Sequence, residues 1–158
     1  MPIELPIQWI IILNLAGWAG IQMGLAWLFT RLPLSWFHPA PPFRWERGGG
    51  FYERVLLVKR WKHFLPDGSS WFSGGFAKAS LTRSHPDYLR RFLRETWRGE
   101  LCHWTAIACV PLFFLWNPWW GNLIIVSYAL IANLPCIVAQ RYNRVRIERV
   151  LARVATGQ

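Results

Sequence analysis

From Pro6 to Leu32 the chain carries no charged side chain before Arg31. A helix through this run, at about 1.5 Å per residue, is long enough to cross a bilayer core of about 30 Å with some tilt. Two shorter apolar runs follow, Leu101 to Trp116 and Gly121 to Ala139, each near the lower end of spanning length. Between them, Asn117-Pro118-Trp119-Trp120-Gly121-Asn122 is an uncharged turn cluster, so the pair reads as a helical hairpin. Pro111 and Pro135 are expected to bend these two helices, which neighbouring protein tolerates in a membrane. The chain holds 12 Trp and is only 16% charged. A soluble domain of 158 residues would be richer in charge, whereas Trp at this density suits the headgroup level, where its amphipathic ring settles.

The distribution of charge gives the orientation. Thirteen Lys and Arg lie in residues 31–99 and five in residues 141–158, which together are all 18 in the chain. The positive-inside rule therefore predicts both segments in the cytoplasm, with the N-terminus and the hairpin turn outside. The expected fold is an all-α integral membrane protein with three transmembrane helices, N-out and C-in. It forms one membrane domain over residues 1–158, with spans at about 6–30, 101–116 and 121–140. A loop over 31–99 and a basic tail over 141–158 complete it. No signal peptide is expected, since Met1 to Gln8 has no basic residue and no cleavage site follows the apolar run.

Within the loop, Pro33 to Gly50 is rich in Pro, Gly and aromatics and reads as an ordered segment at the headgroups. Phe51 to Leu65 reads as a short interfacial helix. Pro86 and Asp87 open another, with Tyr88, Leu89, Phe92, Leu93, Thr96 and Trp97 on one face and Arg90, Arg91, Arg94 and Arg98 on the other. In the first span, Asn14, Trp18 and Gln22 share a face that is expected to look into protein. Gly20 and Gly24 form a small-xxx-small pair suited to close approach of another helix, and hence to a homodimer.

Three polar clusters could carry chemistry. Glu100 and His103 are three residues apart and share a helix face, so the carboxylate could orient the imidazole and raise its basicity. Alternatively Glu100 pairs with Arg98 or Arg94, and His103 only anchors the interface. In the second cluster, the turn Pro66-Asp67-Gly68 could return Asp67 toward His63 or Lys62. The alternative there is a basic amphipathic helix resting on anionic lipid. In the third, Asn133, Ile137, Gln140 and Arg144 align at helical steps, and Gln140-Arg141-Tyr142-Asn143-Arg144 sits at the basic end. Its arginines could grip phosphates through forked hydrogen bonds, or could simply be a stop-transfer flank. Cys102, Cys109 and Cys136 lie in apolar segments and read as small hydrophobes. The four His residues share no ligand spacing, so no metal site is expected, and no nucleic-acid reader motif is present.

The same clusters carry a family resemblance. Arg60-Trp61-Lys62-His63, Asp67-Gly68, Glu95-Thr96, Arg98, Glu100-Leu101 and His103-Trp104 resemble the pattern of the glycosyl-4,4'-diaponeurosporenoate acyltransferases. So do Tyr128-Ala129, Ile131-Ala132-Asn133, Pro135, the string Gln140 to Arg144, and Arg146. The resemblance runs from the first span to the basic tail and departs in Trp71 to Pro86. It implies a multi-pass enzyme of the bacterial cell membrane whose site faces the cytoplasm. The reaction implied is transfer of a fatty acyl chain to the primary hydroxyl of a sugar on a carotenoid acid. No cofactor is expected to remain bound. The donor would be an acyl thioester, acyl-CoA by expectation, and the acceptor a bilayer-soluble glycolipid.

In the mechanism this suggests, His103, oriented by Glu100, deprotonates the sugar hydroxyl, with His63 and Asp67 as the alternative base pair. Asn133 or His63 would stabilise the oxyanion. Arg141, Arg144 and Lys62 would hold donor phosphates, with Arg98, Gln140 and Asn143 completing the substrate-binding set. The competing expectation is a non-catalytic lipid-binding or assembly subunit.

Overall fold

A computed structural model of the protein describes residues 3–46, 48–65 and 85–156. Among these residues the chain is all-helical. Helix α1 spans Ile7–Arg31, α2 Val58–Trp61, α3 Pro86–Ala108 and α4 Trp119–Thr156. Two of them, α1 and α4, are long and apolar enough to cross a membrane.

The apolar run at 101–116 is not one helix. Pro111 lacks an amide hydrogen, and its ring would clash with the carbonyl four residues earlier. Accordingly α3 ends at Ala108 and the chain continues as a 3₁₀ helix over Val110–Leu115. Most of α3 is thus the amphipathic segment that opens at Pro86, running unbroken into the apolar run. The opposite holds for α4: despite Pro135 it is continuous for 38 residues, so the basic tail is its last turns. At about 1.5 Å per residue α4 is roughly 57 Å long, nearly twice a bilayer core, and its basic half extends beyond any span.

Phe51 to Leu65 is also broken. A π-helical turn over Phe51–Val55 gives way to α2 and a 3₁₀ turn over Lys62–Phe64. The break is at Leu57, whose φ of 49° is left-handed and cannot continue a helix. Upstream, Gly49 has φ 61°, and a side chain there would run into the Arg149 guanidinium.

Helices α3 and α4 form the spine. At their basic ends Leu89, Phe92 and Ile147 are fully buried together, each such side chain stabilising the fold by about 1.5–3 kcal/mol. Above them Tyr52 and Val58 of the loop pack on Tyr142 and Val145 of α4. At the other end Trp18 of α1, Val110 and Phe113 of the 3₁₀ segment, and Ile125 and Ala129 of α4 form a third cluster. Here α1 touches the spine on one stripe only. Gly17 meets the Phe113 ring, but nothing lies within 4 Å of a Cβ built on Gly20 or Gly24. The close approach those glycines permit is not used within one chain.

Candidate active site

Two polar residues of α1, Asn14 and Gln22, tie it to the rest of the bundle from the face they share with Trp18. The Asn14 amide exchanges 2.8 Å hydrogen bonds with that of Asn117, and Asn14 Oδ1 also accepts from the Trp116 indole. Nearer the basic end, Gln22 Nε2 donates to Asn133 Oδ1 at 3.2 Å. An unpaired amide is costly in an apolar bundle, which is reason enough for each to find a partner. Beside these contacts α1, α3 and α4 enclose a cavity of about 1110 Å³. Its long limb is lined mainly by Ile10, Ile11, Leu15, Ile124, Ile125 and Tyr128, with the Asn14 and Asn117 amides among them. Its other end is polar, formed by Lys62, His63, Arg98, His103, Gln140 and Asn143.

His103 belongs to that polar end. Its Nδ1 lies 2.8 Å from Asn133 Oδ1. The amide is oriented by its other contacts: Asn133 Nδ2 donates to the Ala129 carbonyl at 2.8 Å, and Oδ1 accepts from Gln22. Since Oδ1 can only accept, Nδ1 is the donor in this contact.

Sequence spacing paired His103 with Glu100, but the hydrogen bonds of that carboxylate lead elsewhere. Oε1 accepts from Arg141 Nε at 2.8 Å and from the Trp104 indole at 3.4 Å, and Oε2 accepts from Arg144. Arg141 reaches on through NH1 to Glu46 at 3.0 Å, and Glu46 also accepts from the Tyr52 hydroxyl and the Phe43 amide. Burial, reinforced by the Glu46 carboxylate, holds the Tyr52 phenol well above its ordinary range. Glu46, Glu100 and Arg144 are all nearly inaccessible, and Arg144 also stacks on Trp97 at 4.9 Å. Two carboxylates and two guanidiniums thus form a buried clasp joining the loop, α3 and α4. Charges buried this deeply persist only with such partners.

The remaining expected site residues divide between clasp and cavity. Arg98 lines the cavity and pairs with Glu95 at 2.7 Å on its own helix. Gln140 lines it too, and its Oε1 is buried without a hydrogen-bond partner among the described residues. Lys62 sits at the mouth, 3.4 Å from Asn143 Oδ1, with His63 beside it. Asp67 lies outside the described residues, so the His63–Asp67 pairing does too.

Sequence reasoning placed Gln22 on a protein-facing stripe but not beside the site, and it missed Glu46 altogether. Glu46 carried no signal, because its guanidinium partner is 95 residues away in the chain.

The family described as glycosyl-4,4'-diaponeurosporenoate acyltransferase matches residues 33–153. Curated relatives of that name occur in Staphylococcus aureus strains USA300, NCTC 8325 / PS 47 and Newman. Each is 33% identical over 138 residues, covering 85% of this chain and 83% of the relative. No solved structure matches.

Proposed function

The chain belongs to the glycosyl-4,4'-diaponeurosporenoate acyltransferase family, and on that basis we propose that it acylates a glycosylated carotenoid acid or a similar glycolipid. The acyl group comes from a thioester, acyl-CoA, and lands on the primary hydroxyl of the sugar at the inner membrane face. The observation that carries this reading is the cavity, with its charged side chains and both histidines at one end and a mainly apolar wall along the rest. An acyl chain suits the apolar limb. The sugar and the thioester suit the polar one, where Gln140 and Asn143 line the wall.

His103 Nε2 takes the proton of the sugar hydroxyl as its oxygen attacks the thioester carbonyl. The tetrahedral intermediate then expels the thiolate, which recovers that proton from the imidazolium. No acyl-enzyme is required. The Asn133 amide holds His103 in the working tautomer and has already committed an N–H to Ala129. His63 is therefore the donor assigned to the oxyanion.

The topology in this reading is three crossings, N-out and C-in, with the apolar end of α3 and the 3₁₀ segment as the middle one. Support comes from the ends that meet: the Ile3 amide bonds the Leu115 carbonyl, and Asn14 bonds Asn117. The N-terminus and the hairpin turn thus share one face, and the basic residues lie toward the other.

Purified protein in lipid nanodiscs, given long-chain acyl-CoA and a glycosylated carotenoid acid, should yield a product heavier by one acyl group. His103→Ala should yield none. Acceptor binding without product across several sugar lipids would favour a lipid-binding subunit instead.

A further inference from the structure

The tail string Gln140 to Arg144 divides by helix face. Arg141 and Arg144 turn inward onto Glu100, whereas Gln140 and Asn143 face the cavity. A second pair of cations flanks the same string without such partners. Lys62 Nζ lies 5.3 Å from the centre of the Tyr142 ring and Arg146 Cζ 5.6 Å from it. Among the described residues neither has a carboxylate within salt-bridge distance, and Asn143 Oδ1 is the one hydrogen-bond acceptor near Lys62. Burial, with Arg146 and Lys59 repelling it, holds the Lys62 ammonium below its ordinary range. Positive charge gathered around one ring, with Lys62 and Asn143 lining the cavity beside it, lacks an anion.

We infer that Lys62, Asn143 and Arg146 form the site for the phosphate of the acyl donor, and that Arg141 and Arg144 serve the fold instead. This rests on the acyl-thioester reading above and adds a geometric requirement to it. Asn143 follows Asn133 by ten residues on one continuous helix, and Arg146 follows it by thirteen. Both cations gather on the Tyr142 ring, so the phosphate site is about 13–15 Å along α4 from the level of Asn133, where His103 is held. A donor must carry its phosphate and its acyl carbonyl that far apart. A coenzyme A thioester does, because a long flexible arm separates the two. A phospholipid, whose phosphate lies a few bonds from its esters, does not. The site thus selects the soluble thioester over the membrane lipids around it.

Binding decides this independently of turnover. A non-hydrolysable thioether analogue of long-chain acyl-CoA would be titrated into protein in phosphatidylcholine nanodiscs, with and without added phosphatidylglycerol. Lys62→Gln and Arg146→Gln should each weaken binding about tenfold, as loss of a charge-assisted contact to phosphate does. Lys62→Arg should retain it, and the wild-type affinity should fall with salt. Loss of salt dependence in the Gln variants completes the expected result. Wild-type affinity in both Gln variants overturns the inference even if acyl transfer is observed. So does displacement of the analogue by phosphatidylglycerol through Lys62. Lys62-dependent binding without any acyl transfer upholds the site and rejects the reaction instead.

Discussion

His103 Nδ1 faces Asn133 Oδ1 at 2.8 Å across α3 and α4, and Gln22 of α1 donates to the same oxygen. One amide therefore reports the position of α1 to the proposed base. His103→Ala should lower the rate by about 10² to 10⁴-fold while the protein remains folded, the range a positioned general base supplies. Asn133→Leu should lose less, because Nε2 can still reach a proton in part of the ring population. Steady-state rates in nanodiscs check both, and a wild-type rate for Asn133→Leu would remove the amide from the mechanism.

Glu100 behaves differently in this account. Its oxygens are committed to Arg141 and Arg144, so Glu100→Gln should act on stability first. Breaking one side of a buried ionic cluster costs about 3–5 kcal/mol. Thermal unfolding in detergent should show a large drop for Glu100→Gln and little change for His103→Ala. The reverse order would return Glu100 to the catalytic group.

The glycines of α1 separate packing from association. A side chain at Gly17 meets Phe113 at 3.3 Å, whereas Gly20 faces open space. Gly17→Leu should destabilise the fold by about 1–3 kcal/mol through overpacking. Gly20→Leu should leave the unfolding temperature unchanged. If two copies associate through the Gly20 and Gly24 face, Gly20→Cys cross-links in membranes and Gly20→Leu abolishes the dimer. Absence of any cross-link disposes of the dimer.

Ala132 lines the cavity one residue before Asn133. Ala132→Trp should block the apolar limb close to the reacting carbonyl. Product mass spectra from a mixture of acyl-CoA lengths should then shift toward short chains. An unchanged length profile would mean that the acyl chain lies elsewhere.

The Lys59 ammonium, hydrogen-bonded to Glu53 at 2.8 Å, holds that carboxyl below its ordinary 4.5. A carboxyl with a depressed folded-state pKa stabilises the fold above its unfolded value and loses that contribution as pH falls through the folded one. Stability should therefore decline as acid is added below about pH 4.5, less steeply in Glu53→Gln. Equal slopes in urea unfolding at successive pH values would show that the pair contributes nothing.

The sequence made α1 legible because an uncharged run of that length has few other fates, and α3 because Pro86 opens a helix with two distinct faces. Pro111 was legible as a bend, but not as the end of α3. The continuity of α4 through the basic tail was hidden, since apolar and basic halves differ in composition while sharing one backbone. At the site, His103 and Asn133 were each singled out, yet their pairing was not. Helical spacing offered Glu100 as the nearer partner, and the tertiary fold offered Glu100 two arginines from another helix, which satisfy a buried carboxylate better than a neutral imidazole.

The clasp also imposes an order on assembly. Glu46 and Glu100 are synthesised well before Arg141 and Arg144, which complete their pairing. Until the last helix emerges, the loop and α3 hold acidic groups that have no reason to leave water. The fold therefore closes only once its C-terminal helix is made, and α4 works as a keystone. A chain stopped short of residue 141 would keep every apolar segment needed for insertion but lack the charges that draw its proposed active site together.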